Sequence, residues 1–162
     1  MTSSERLIVH LDRTFAGDPW HGSSLMTILE DVTASQAGRR PASAVHSIWE
    51  LVRHIAAWKR EVTRRLGGHP AGEPADGDWP PVTDTSEAAW AAALADLRAA
   101  HAGLLAAIAR LDQSALNERV RDDRDPALGA SLSRHDTIDG LIDHDVYHAG
   151  QVALVKRMVT GG

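Results

Sequence analysis

His144 and His148, in the stretch His144-Asp145-Val146-Tyr147-His148-Ala149-Gly150-Gln151, carry the plainest chemistry in this chain. Each residue of a helix turns about 100°, so two residues four apart lie about 40° from one another and both imidazoles can reach one metal ion. The plain alternative is two partly buried histidines, since an amphipathic helix in a chain with nine histidines can produce the spacing by chance. A catalytic metal needs at least a third ligand and an open position. The other histidines are His10, His21, His46, His54, His69, His101 and His135. His69 stands beside Pro70 in a loop, His135 at a helix start and His10 on a polar flank. His54 is the best third ligand, because it sits in mid-helix at the border of an apolar stripe and bundle sites are built from facing helices.

Three long helices and a shorter N-terminal pair must position these groups. Ser3 or Ser4 can cap a first helix to about Phe15, with Leu7, Ile8, Leu11 and Phe15 at helical spacing, and a short helix is expected from about Ser24 to Val32. The Gly38 to Pro41 region closes that unit. A long helix is expected from about Ala44 to Leu66. With His54 as zero, Leu51, Trp58, Val62, Ile55, Ile48 and Leu66 fall between about 40° and 120°, and Glu50 and Glu61 fall just beyond His54. Pro70, Pro74, Pro80 and Pro81 then rule out a helix up to Thr85, and this segment reads as an ordered crossover packed by Trp79.

Asp84 with Glu87 has the spacing of a capping box for a third long helix to about Leu111. Its positions Trp90, Leu94, Leu97, His101, Leu104, Ile108 and Leu111 alternate steps of four and three, the seam of a helix in a bundle. His101, inside that seam, is expected to bond a neighbour rather than a metal. Asn117 to Ser131, with Pro126 and Gly129, reads as a loop whose Asp122, Asp123 and Asp125 lack the pattern of a calcium site. Ser133, with Asp136 three residues on, caps a last helix to about Val159, where Leu141, Val152, Val155 and Val159 share the side of the two histidines. No strand pattern appears, so the expected fold is an all-α bundle, one domain over residues 1–162.

Composition removes several functions. With 17 Lys+Arg against 22 Asp+Glu and a net charge of -5, there is no basic field for a nucleic-acid backbone. The absence of cysteine removes disulfides, thiolate ligands and a cysteine nucleophile together. The N-terminus does not read as a signal peptide, and no stretch approaches the ~18 apolar residues of a membrane span. A cytoplasmic protein without nucleic-acid or membrane partners is expected.

Trp49-Glu-Leu-Val-Arg-His-Ile-Ala-Ala-Trp58, Asp78-Trp79-Pro80, Trp20-His21-Gly22 and His144 to Gln151 together resemble the DinB/YfiT-like superfamily of metal-binding four-helix bundles. The resemblance covers nearly the whole chain. It implies a bundle with a long crossover between the second and third long helices, and a divalent metal, zinc or nickel, held by His54, His144 and His148. Members of that superfamily include presumed metal-dependent hydrolases, S-transferases that use bacillithiol or mycothiol, and a thiol-dependent isomerase.

Three neutral imidazoles leave the metal its full charge, which favours ionisation of a bound water or of an external low-molecular-weight thiol. Glu50, Glu61 and Asp145 are candidates to orient a ligand histidine or act as a base, although burial base rates favour surface carboxylates. Tyr147 and Gln151 are candidates for substrate contacts or contacts to the ligands, while His21 is a candidate fourth ligand or proton shuttle. The first expectation is an enzyme that hydrolyses, or transfers such a thiol to, a small-molecule substrate. The alternative is a non-catalytic, stress-associated metal-binding bundle. A metalloprotease ranks last, because Asp145 is shorter than the usual glutamate base and a helical chain offers no strand edge to an extended peptide. A homodimer is compatible with the helix faces beyond the core.

Overall fold

The computed structural model describes residues 1–124 and 131–161. Among them the chain forms α1 (Ser3–Ala16), α2 (Leu25–Leu29), α3 (Ala34–Gly38), α4 (Ile48–Leu66), α5 (Glu87–Ile108), α6 (Gln113–Asn117) and α7 (Arg134–Thr160). No strand is present among the described residues, and one isolated bridge joins Arg119 to Ser133. The four long helices make the all-α bundle expected from the periodicities, with α2, α3 and α6 closing its ends.

Helix starts follow local chemistry. The Ser133 side chain accepts from the Asp136 backbone N–H, as its spacing predicts. Three other starts differ from the sequence reading. Thr2, with Glu5, caps α1 in place of Ser3 or Ser4. Ser47 and Glu50 form a capping box that starts α4 at Ile48 instead of Ala44. Ser86 caps α5, while Asp84 accepts from the Ser86 N–H. In each case a hydroxyl in extended backbone just before the first helical residue accepts from an N–H of the first turn. The short helices α3 and α6 were not expected, being too brief to show a period.

The order of contacts gives the topology. Trp49 meets Trp90, and farther along Lys59 meets His101, so α4 and α5 run parallel. Two parallel neighbours need a connection as long as the helix, about 28 Å for the 19 residues of α4. The crossover from residues 67 to 86 supplies that length. It is ordered and tied to α4: Arg64 donates to the Pro70 carbonyl, Arg65 to the Gly72 carbonyl and Trp58 Nε1 to Asp78 Oδ1 at 2.7 Å. By contrast α7 runs antiparallel to α4, pairing His144 and His148 with His54, and Leu141 and Ile138 with Val62 and Leu66.

Alanine-rich α5 is long and apolar enough, by length and composition, to cross a membrane, which the sequence reading overlooked. Here Trp90, Leu97, Leu104 and Ile108 are buried in the bundle core, as the four-three seam predicts. The Asp125, Pro126 and Gly129 positions of the loop before α7 lie outside the described residues.

Candidate metal centre

His54 from the middle of α4 and His144 and His148 from α7 converge in the bundle, as their shared border positions predict. Their Nε2 atoms lie 2.9 Å apart for His54 and His144, and 3.1 Å apart for His54 and His148. Three ligand atoms gathered in this way could hold one metal ion, and among the described residues no carboxylate joins them.

The far side of each ring explains why. His54 Nδ1 lies 2.6 Å from the Asp78 carbonyl oxygen, His148 Nδ1 lies 2.6 Å from Gln151 Oε1, and His144 Nδ1 faces Asp145 Oδ1 at 3.4 Å. All three partners are oxygens set to accept, so each ring keeps its proton on Nδ1 and turns the Nε2 lone pair inward. Three lone pairs cannot hydrogen-bond one another; a cation resolves their repulsion. For zinc–nitrogen bonds of about 2.0–2.1 Å in a tetrahedron, neighbouring nitrogens stand about 3.3 Å apart, within a few tenths of an ångström of the separations here. The residues therefore fit a divalent metal.

Burial reinforces the same protonation state. Desolvation pushes His148 down to about 4, with the neighbouring His144 and His54 acting in the same direction. Desolvation also lowers His54, against the raising effect of the Asp78 carbonyl. Neutral imidazole is the form a metal binds. Trp79 stacks on His54 at a centroid distance of 3.9 Å and on His46 at 3.6 Å, so the crossover walls off one side of the cluster. This is the packing role expected of Trp79. His144, alone of the three, also lines a cleft of about 290 Å³ together with Trp58, Val62 and Leu141.

The other candidates divide. Gln151 holds His148 and also donates to Tyr147 Oη at 3.3 Å, while the Tyr147 side chain is mostly exposed at the rim. Asp145 is buried and ion-paired with Lys59, itself 0% exposed. Burial acts to raise Asp145, but the Lys59 charge together with hydrogen bonds from His144 and Lys59 outweighs it, and the carboxyl lies below its ordinary range. The surface reading of Asp145 is thus overturned. Glu61 is buried as well, in a cluster with Arg64, Arg65 and the Gly72 N–H, and does not orient a ligand histidine. Glu50 is occupied by the Ser47 cap and Arg40. His21 lines a separate groove between α2 and α7 and lies outside the cluster.

His101 is also outside the cluster and bonds a neighbour, as its place in the seam predicts. Its Nδ1 accepts from Lys59 Nζ at 3.3 Å, its ring stacks on Phe15 at 3.8 Å, and Nε2 faces Asp12 at 3.5 Å. Lys59 and the Asp78 carbonyl are the residues that sequence reasoning missed. For Lys59 a signal existed, since on the α4 wheel it falls about 20° outside the apolar stripe. For a backbone carbonyl there was none.

Desolvation, followed by the Lys59 charge, lowers His101 to about 4. The unfolded chain, with an ordinary histidine near 6.5, binds the proton first as pH falls. Stability from this residue is therefore complete above about pH 6.5 and is lost progressively down to about 4. Metal-free protein is expected to show this loss in urea titrations from pH 7.5 to 4.5. The loss should be shallower in His101→Gln; an identical slope would remove His101 as its source.

Residues 20–152 match the family model of the DinB superfamily, and the chain belongs to that superfamily. Among solved structures it is similar to a conserved protein from Enterococcus faecalis, with a TM-score of 0.63 and 18% identity over 100% of this chain and 99% of that one. At that identity the likeness concerns the fold alone. A search of curated proteins gives no match.

Proposed function

We propose that this protein is a metal-dependent enzyme in which His54, His144 and His148 hold one divalent ion, zinc or nickel, beside a cleft that receives a small-molecule substrate. The observation that carries the reading is the convergence of three Nε2 lone pairs whose Nδ1 atoms are all committed to acceptors. When bound, such an ion would supply the Lewis acidity that makes water or an external low-molecular-weight thiol nucleophilic near neutral pH.

The chain's own residues would do the rest. Three neutral ligands leave the charge of the ion uncompensated. Asp78 and Gln151 fix two of the rings, and Trp79 excludes water from the closed side. His144 is the ligand that lines the cleft, so a substrate there meets the centre from the α4–α7 side. Without cysteine, a thiol must come from outside the chain.

Metal-loaded protein should be tested against activated esters and amides in water alone, and against electrophilic substrates with and without added thiol. Turnover only with thiol identifies transfer, and turnover in water alone identifies hydrolysis. Stoichiometric metal without turnover in either assay would favour the non-catalytic, stress-associated bundle.

A further inference from the structure

We propose that the cleft at His144 binds a slender carboxylate: an apolar body lies between Trp58 and Leu141, and its carboxylate meets the Arg65 guanidinium. The inference rests on the reading of the histidine cluster as the reactive centre and assigns the substrate class of that centre.

The geometry comes from two antiparallel helices stepping together. Along α4 the cleft is lined by Trp58, Val62 and Arg65; along α7, by His144, Leu141 and Thr137. From Trp58 to Arg65 and from His144 to Thr137 are seven residues each, about 10 Å of helical rise. Because α4 and α7 run in opposite directions, both rows leave the histidines and arrive together at Arg65 and Thr137. The cleft thus runs from His144 towards Arg65 between the apolar side chains of Trp58, Val62 and Leu141, with Asp122, Arg124 and Ser131 along its rim. Its volume of about 290 Å³ suits a small ligand.

Arg65 is built to receive an anion. Its guanidinium lies over the Trp58 ring at 5.5 Å, beside the apolar wall of the cleft. Nε donates to Glu61 Oε1 at 2.8 Å and Nη2 to the Gly72 carbonyl at 2.6 Å, whereas Nη1 has no partner among the described residues. Glu61 is shared between Arg64 and Arg65, so the three side chains keep a net positive charge. Asp122 also borders the cleft; Arg124 holds both of its oxygens, at 2.8 and 2.6 Å, and the Arg65 charge adds a smaller attraction, so Arg65 keeps its Nη1 unbonded beside a carboxylate that Arg124 already pairs.

Gly140 lies within α7 on the cleft wall, and a Cβ added there would meet nothing within 4 Å among the described residues. A large side chain at this position would project into the cleft.

Calorimetric titration of the full chain with 4-phenylbutyrate and its neutral amide tests the assignment, with metal-loaded and metal-free protein. The carboxylate is expected to bind about tenfold or more tighter than the amide, as an ionic hydrogen bond in a partly buried site allows. Arg65→Gln should abolish that preference, Arg65→Lys should restore part of it, and Gly140→Leu should block both probes. His148→Ala should keep probe binding while losing metal, so failure of the metal reading and failure of the cleft reading are separable. Equal affinity for the two probes, binding of neither by the parent, or a preference that survives in Arg65→Gln would overturn the proposal. The comparison of probes uses the parent alone and does not depend on any variant folding.

Discussion

His54→Ala and His148→Ala are each expected to abolish stoichiometric metal binding while leaving a folded bundle. Changing a partner one step removed from a metal typically weakens affinity about 10–100-fold, and removing a ligand itself should exceed about 100-fold. Both rings are buried and each offers one Nε2 to the same small volume, so neither can substitute for the other. Elemental analysis of untagged protein should give about one equivalent in the parent and little in either variant. A thermal readout should agree. Metal at about 100 times its dissociation constant stabilises by about 2.7 kcal/mol, which for a chain of this size raises Tm by roughly 5–10 °C. The variants should show no such rise at the same concentration. Parent protein that takes up no zinc or nickel after reloading would sink the metal-dependent reading.

The second large effect concerns Lys59, whose ammonium is fully buried against Asp145. Lys59→Met removes the cation paired with a carboxylate that remains buried beside His144, and breaking such a pair costs about 3–5 kcal/mol. That is a large share of the roughly 5–15 kcal/mol that holds a domain of this kind together. Replacing both members, Lys59→Met with Asp145→Leu, should recover most of the loss, because an apolar pair of similar volume carries no desolvation cost. Urea unfolding of the single and double variants checks both statements. The double variant also isolates the carboxylate facing His144: restored stability with metal affinity about 10–100-fold weaker would show that Asp145 orients that ring. Equal loss of stability in the single and double variants would mean that the site needs the charges for its fold.

Much of this was legible in the residues. Helical periodicity alone placed His54, His144 and His148 at matching borders of two apolar stripes, and matching borders of packed helices face one another. The seam of α5 and the cap of α7 were equally direct, since both depend on side chains within one or two turns. Glu61, Lys59 and Asp145 were misjudged or missed for a common reason. Their charges argue for solvent, and only the neighbours supplied by other segments make burial tolerable. The crossover brings Gly72 onto Glu61 and places the Asp78 carbonyl on His54. The packing of α4 against α7 brings Lys59 to Asp145.

The local pattern of apolar and capping residues determined the helices and which histidines share a face. It also determined that any thiol must come from outside, because the chain has no cysteine. The tertiary structure decided which nitrogen of His54 faces inward, that the three rings meet, and where buried charge is neutralised. Gln151 and Asp145 hold His148 and His144 from within α7, but the ring of His54, the convergence of the three Nε2 atoms and the Lys59–Asp145 pair depend on residues 24 to 94 positions apart, and helical periodicity reaches only across a few turns.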